Sequence, residues 1–140
     1  MHLEIDAEKC TGCRICESFC SFHHEGAILP VRTRISILAQ SDKGPFSIVV
    51  CQQCEGLGLP EGGTVPCADA CPTEAITRDL LTGAWLVNAD ECIGCGACAD
   101  ACPDGALTFD AELGIPLKCD LCGGEPECAA MCPSGAIQVV

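Results

Sequence analysis

Sixteen cysteines, arranged as four groups of four, constrain this chain of 140 residues more than any other feature. Cys10, Cys13, Cys16 and Cys20 are spaced CxxCxxCxxxC, and Cys92, Cys95, Cys98 and Cys102 repeat that spacing. Cys51, Cys54, Cys67 and Cys71 keep the CxxC and CxxxC ends but put twelve residues between them, and Cys119, Cys122, Cys128 and Cys132 put five. The closing text also recurs, as Cys67-Ala68-Asp69-Ala70-Cys71-Pro72, Cys98-Ala99-Asp100-Ala101-Cys102-Pro103 and Cys128-Ala129-Ala130-Met131-Cys132-Pro133. The first group departs from this text, with Ser21 where the others have proline. The pattern reads as four copies of one supersecondary unit.

A cysteine content of about 11% marks either a disulfide scaffold or a set of metal sites. Met1 to Asp6 hold neither a basic stretch leading into an apolar run nor a twin arginine, so the expected compartment is the cytoplasm. Thiols stay free there, and grouped cysteines act as ligands. Structural zinc would use CxxC pairs two to a metal, with no need of a CxxxCP tail. The tight CxxCxxC spacings suit disulfide bridging poorly, and a CxxC redox catalyst lacks its βαβ companion here. A cubane iron-sulfur cluster needs four thiolates around a compact core. One CxxCxxC loop delivers three, and the cysteine before proline is carried past a helical turn to a neighbouring cluster. All sixteen cysteines are therefore candidate ligands, the complement of four 4Fe-4S clusters. Separations of 30, 20 and 16 residues between successive groups leave sequential and nested exchange of the fourth ligands both open.

Clusters also answer a packing problem. Without cysteine the hydrophobic share falls from 49% to about 38%, and four Phe, one Trp and no Tyr are left to fill space. The formal charge of -13, from 20 acidic and 7 basic side chains without a basic patch, argues against nucleic-acid binding. It suits docking on a basic protein face. Apolar runs such as Phe46 to Cys51 are too short to span a bilayer, so direct membrane insertion is not expected.

Short, partly β-branched segments predict strands at Leu3 to Ile5, Arg34 to Leu38, Ser47 to Val50, Ile76 to Thr77, Trp85 to Val87, Leu107 to Phe109, Ile115 to Leu117 and Ile137 to Val140. Thr82-Gly83 and Glu112-Leu113-Gly114 predict hairpin turns. Each CxxxC predicts little more than one helical turn, stopped by Pro72, Pro103 and Pro133. The fold class that follows is α+β, with a ferredoxin-like architecture throughout 1–140.

The chain resembles the four-cluster ferredoxin-type subunits of molybdenum and tungsten oxidoreductases, among them the partners of dimethyl sulfoxide reductase, formate dehydrogenase and formate hydrogenlyase. Cys10-Thr11-Gly12-Cys13-Arg14-Ile15-Cys16-Glu17, Cys20-Ser21-Phe22-His23-His24-Glu25-Gly26, Arg34-Ile35 and Lys118-Cys119-Asp120-Leu121-Cys122-Gly123-Gly124 are most similar to small subunits that accompany the aldehyde ferredoxin oxidoreductase family. The resemblance implies nested exchange. Cys10, Cys13 and Cys16 would take Cys132, and Cys119, Cys122 and Cys128 would take Cys20. Cys51, Cys54 and Cys67 would take Cys102, and Cys92, Cys95 and Cys98 would take Cys71. Two pseudo-symmetric ferredoxin-like halves are implied, an outer one of 1–45 and 112–140 and an inner one of 46–111 inserted in it. The loop from Glu55 to Pro66 is longer than the resemblance implies, which singles out Cys67.

The function implied is non-catalytic. The chain would relay single electrons between a tungsten or molybdenum pterin catalytic subunit and an external acceptor or donor protein. The alternatives are a freely diffusing polyferredoxin, or a subunit of a hydrogenase, formate dehydrogenase or dimethyl sulfoxide reductase type complex. No nucleophile pattern suggests independent catalysis. Outside the ligands, His23, His24 and Lys118 are candidates to tune a cluster potential. Trp85 is read as cover for its hairpin. The glycine-rich segment Glu55 to Thr64 is read as a solvent loop, with docking as the other reading.

Overall fold

The computed structural model describes residues 1–41, 44–60 and 62–140, and Glu61 of the glycine-rich segment lies outside them. Chain order is β1 (Leu3–Ile5), α1 (Ile15–Glu25), β2 (Ile35–Ser41), β3 (Gly44–Val50), α2 (Pro66–Ala70), β4 (Ile76–Arg78), β5 (Trp85–Val87), α3 (Ala97–Ala101), β6 (Thr108–Asp110), β7 (Ile115–Leu117), α4 (Glu127–Met131) and β8 (Ile137–Val139). Mixed short strands and helices of this kind match the expected class. The strands form antiparallel pairs: β1 with β8, β2 with β3, β4 with β5 and β6 with β7.

Expected turns account for two of these pairs, and packing between the ends of the chain for β1 with β8. β4 and β5 meet in the register Ile76 to Val87, and β6 and β7 in the register Thr108 to Leu117, each across its expected turn. β1 and β8 join the two ends of the chain, Leu3 opposite Val139 and Ile5 opposite Ile137. Leu3 is fully buried and Glu4 exposed, the alternation of a strand with one face on a core.

Proline sets the helix lengths. A residue before proline is pushed out of the α region, and Cys71, Cys102 and Cys132 are accordingly extended, with φ/ψ of −76°/116°, −70°/117° and −70°/112°. α2, α3 and α4 therefore stop after five residues. The expectation of a single turn fails at α1, which runs for eleven residues. Ser21 leaves the backbone donor in place where proline would remove it, and the helix continues to Gly26, whose φ of +72° ends it. Ser21 is fully buried, donating its hydroxyl to Ser18 O and accepting from Leu29 N.

α1 packs against α4, and α2 against α3. Leu3, Ile35, Leu117 and Leu121 are the large apolar side chains most completely buried, yet seven of the buried core residues are cysteines: Cys16, Cys20, Cys51, Cys67, Cys98, Cys119 and Cys128. The interior is sulfur as much as hydrocarbon. No helix among the described residues is long and apolar enough to cross a membrane.

Candidate metal centres

Each group opens with a loop of one backbone design. The residue before the second cysteine, Gly12, Gln53, Gly94 or Leu121, is left-handed, with φ of +74°, +57°, +71° and +56°. A second left-handed residue follows within two positions, at Arg14, Cys54, Gly96 and Cys122. Tight turns with such residues aim backbone N–H groups into a concavity that suits an anion. Holding Gln53 and Leu121 in this region costs on the order of 1–3 kcal/mol each, a strain the fold accepts at these loops.

Three sulfur-lined cavities follow. Cys10, Cys13, Cys16 and Cys132 line one, walled by Ile37, Ile48 and Ile137. Cys51, Cys54, Cys67 and Cys102 line a second with Trp85, Leu107 and Lys118. Cys71, Cys92, Cys95 and Cys98 line a third, walled by Ile76 and Val87. The twelve-residue insertion does not displace Cys67, because α2 carries it against α3. The remaining four, Cys20, Cys119, Cys122 and Cys128, lie near one another, Cys128 being neighboured by the other three. Burial, and then the neighbouring sulfurs of Cys119, Cys20 and Cys122, push the Cys128 thiol far above its ordinary range.

Electrostatics divides the sulfurs in two. Burial pushes Cys16 and Cys119 up to about 12, and Cys67 and Cys122 up to about 11. Closing cysteines behave differently. Burial opposes ionisation at Cys20, Cys71 and Cys132, but hydrogen bonds outweigh it and bring all three below the ordinary thiol value. Arg34 N donates to Cys20 Sγ at 3.2 Å and Ala75 N to Cys71 Sγ at 3.2 Å. Ala106 N donates to Cys102 Sγ at 3.4 Å.

Of the histidines, His23 is exposed, 3.9 Å from Glu127. His24 is half-buried and ties α1 to the last cysteine loop: Nε2 donates to Asp120 Oδ1 at 2.9 Å and Nδ1 to Cys20 O at 2.8 Å. Burial disfavours its charge, but Asp120 and Cys20 together hold it up to about 10. Lys118 is buried, its ammonium turned inward. Trp85 covers its hairpin and also walls the second cavity. The described part of the glycine-rich segment is mostly exposed.

Sequence reasoning missed Gln53 and Asp120. Gln53 is buried and bonds Cys119 O, Lys118 and Trp85 N through its amide, and Cys51 Sγ through its backbone N–H. A polar residue inside a CxxC was the available signal, but it reads equally well as solvated.

The donor set fits 4Fe-4S clusters. Thiols that burial holds protonated become thiolates on binding metal. Inward N–H groups and N–H to sulfur bonds then stabilise their charge. The clusters supply reversible one-electron acceptance, and sixteen cysteines are the ligand complement of four.

Residues 1–22 and 85–108 each match a family of 4Fe-4S binding domains. The chain is 42% identical over 122 residues to the polyferredoxin-like subunit of an aliphatic sulfonate oxidoreductase from Pyrococcus furiosus, covering 87% of this chain and 65% of that one. It is 37% identical over 124 residues to the putative electron transport protein YsaA of Escherichia coli K12, covering 84% and 73%. It thus spans just under two thirds of the first relative and nearly three quarters of the second. A chain of the active site complex BamBC of benzoyl coenzyme A reductase superposes with a TM-score of 0.54 at 28% identity, covering 99% of this chain and 77% of that one. Cysteine loops, domain matches and an alignment running along most of both chains agree: this chain belongs to a family of 4Fe-4S electron-transport proteins.

Proposed function

We propose that the chain is the non-catalytic electron-transfer subunit of a cytoplasmic oxidoreductase complex. It relays single electrons through four 4Fe-4S clusters between a tungsten or molybdenum pterin catalytic subunit of the aldehyde ferredoxin oxidoreductase type and an external acceptor or donor protein. The observation that carries this reading is the grouping of sulfurs. Cys10, Cys13, Cys16 and Cys132 would hold the first cluster, and Cys20, Cys119, Cys122 and Cys128 the second. Cys51, Cys54, Cys67 and Cys102 would hold the third, and Cys71, Cys92, Cys95 and Cys98 the fourth.

In this reading the clusters follow one another as a wire. Cys16 and Cys20 stand one turn apart on α1, with Cys128 on α4 and Cys132 just past its end on the facing side, which joins the first site to the second. Gln53 bonds Cys51 Sγ and Cys119 O, which joins the second to the third. The third and fourth meet across α2 and α3. Cys13 and Cys95, the exposed cysteines, mark the two ends where electrons would enter and leave. The pairing of β1 with β8 and of α1 with α4 supports an outer half of 1–45 and 112–140, and the pairing of α2 with α3 an inner half of 46–111.

The catalytic partner is argued from the sequence motifs around Cys10 to Arg34 and Lys118 to Gly124, and from the subunit role named for the Pyrococcus relative. Anaerobic purification from the native host tests it. The expected result is about sixteen irons per chain, four to each cluster, with a larger subunit containing tungsten or molybdenum. A lone chain with the same iron would replace the subunit reading by a freely diffusing carrier.

A further inference from the structure

Lys118 is the charged side chain that the fold buries most completely among the described residues, at 5% exposure. Its Nζ donates to Gln53 Oε1 at 2.8 Å and to Cys119 O at 3.3 Å. Both partners are neutral. None of the ion pairs among the described residues involves it. Burying an ammonium without a counter-charge is expensive, so its burial calls for negative charge close by.

The placement of Nζ points to the cysteine sites on either side of it. Lys118 walls the cavity of Cys51, Cys54, Cys67 and Cys102, and the next residue in the chain is Cys119, of the adjoining site. Its charge acts on Cys54 and Cys67 on one side and on Cys119 on the other, against burial in each case. Gln53 holds it there. The amide oxygen accepts from Lys118 Nζ and Trp85 N, the amide nitrogen donates to Cys119 O, and the strained φ of +57° aims the side chain between the two sites. A solvated lysine would need none of this support.

We propose that Lys118 is a fixed counter-cation shared by the two middle clusters, positioned by Gln53 to raise their reduction potentials. The role takes the four clusters proposed above as given. Each electron accepted adds negative charge to a site, and a nearby buried cation stabilises the reduced form more than the oxidised one. Lys118 is not among the residues lining the cavities of the two end sites, with Cys13 and Cys95.

The test is an EPR-monitored redox titration of the full chain, purified anaerobically with any partner that accompanies it. Lys118→Gln keeps donors for Gln53 without charge, Lys118→Met removes both, and Lys118→Arg keeps the charge. Two of the four midpoints should fall in both neutral variants by at least a tenfold change in equilibrium, about 59 mV for one electron. The other two should hold, and Lys118→Arg should stay within threefold of the parent. Four unmoved midpoints in the neutral variants, or an arginine variant that shifts as far as methionine, would overturn the proposal. Iron loss confined to the neutral variants would support it, since charge and not shape then retains the clusters; iron loss in all three would reduce Lys118 to packing. A parent chain with far fewer than about sixteen irons would instead overturn the cluster reading itself.

Discussion

His24 Nε2 lies 2.9 Å from Asp120 Oδ1 across 96 positions of sequence, and the same oxygen accepts the backbone N–H of Cys122 at 2.9 Å. One carboxylate therefore clamps α1 to the loop that carries Cys119 and Cys122. Burial opposes its charge, but His24 holds the Asp120 carboxyl down to about 2. A hydrogen bond between charged partners is worth about 1.5–3 kcal/mol, and more is lost when one partner stays buried without the other. His24→Ala and Asp120→Ala should each speed bleaching of the visible chromophore in guanidinium about tenfold or more. The double variant should bleach little faster than either single one, because both remove the same contact. Additive rates would mean that the two side chains act separately.

Gly12 and Phe46 form a second contact between distant segments. A Cβ at position 12 would run into the ring of Phe46, and the φ of +74° would strain any L side chain. Gly12→Ala should therefore damage the first cysteine loop by two routes, steric and conformational. Adding Phe46→Ala relieves the first and leaves the second, worth about 1–2 kcal/mol. Iron content of the single variant should fall by roughly one cluster in four, with partial recovery in the double variant. Full retention in Gly12→Ala would show that the ring moves aside freely.

Much of this was legible from the residues. Ile76 to Val87 and Thr108 to Leu117 announce hairpins through β-branched residues around Thr82-Gly83 and Leu113-Gly114. Pro72, Pro103 and Pro133 fix three helix ends, and Ser21, conspicuous in the alignment of the groups, is why α1 escapes the same limit. What stayed hidden is non-local or backbone-borne. Nothing near Leu3 points to Val139, because that pairing is set by packing at the far end of the chain. The shared left-handed loop is announced by Gly12 and Gly94, but Gln53 and Leu121 adopt it under strain and so carry no glycine to signal it. Spacing gave the four groups, while the partition of closing cysteines rested on resemblance.

With seven cysteines in the buried core, iron should be inseparable from folding. A ferrous chelator under reducing, oxygen-free conditions should abolish cooperative thermal unfolding and the near-ultraviolet dichroism of Trp85, since the apo-chain lacks the apolar area to close around its cysteine sites once they are empty. Restoring iron and sulfide should recover both signals. An apo-chain with an intact, cooperative transition would mean that Leu3, Ile35, Leu117 and Leu121 suffice as a core.

The closing cysteines offer the sharpest discrimination, because each stands at the boundary of two sites. Pro133 forces Cys132 out of α4 into an extended conformation, and its sulfur is turned toward Cys10, Cys13 and Cys16, away from Cys128 four residues earlier. Ser134 supports it there, 3.6 Å from its sulfur. Cys132→Ser should therefore perturb the EPR signal that Cys13→Ser perturbs, and Cys20→Ser the signal that Cys122→Ser perturbs. If each group instead served one cluster by itself, Cys132→Ser would share its signal with Cys122→Ser, and Cys20→Ser with Cys13→Ser. The two schemes predict opposite pairings from the same four variants, so a single set of spectra separates them.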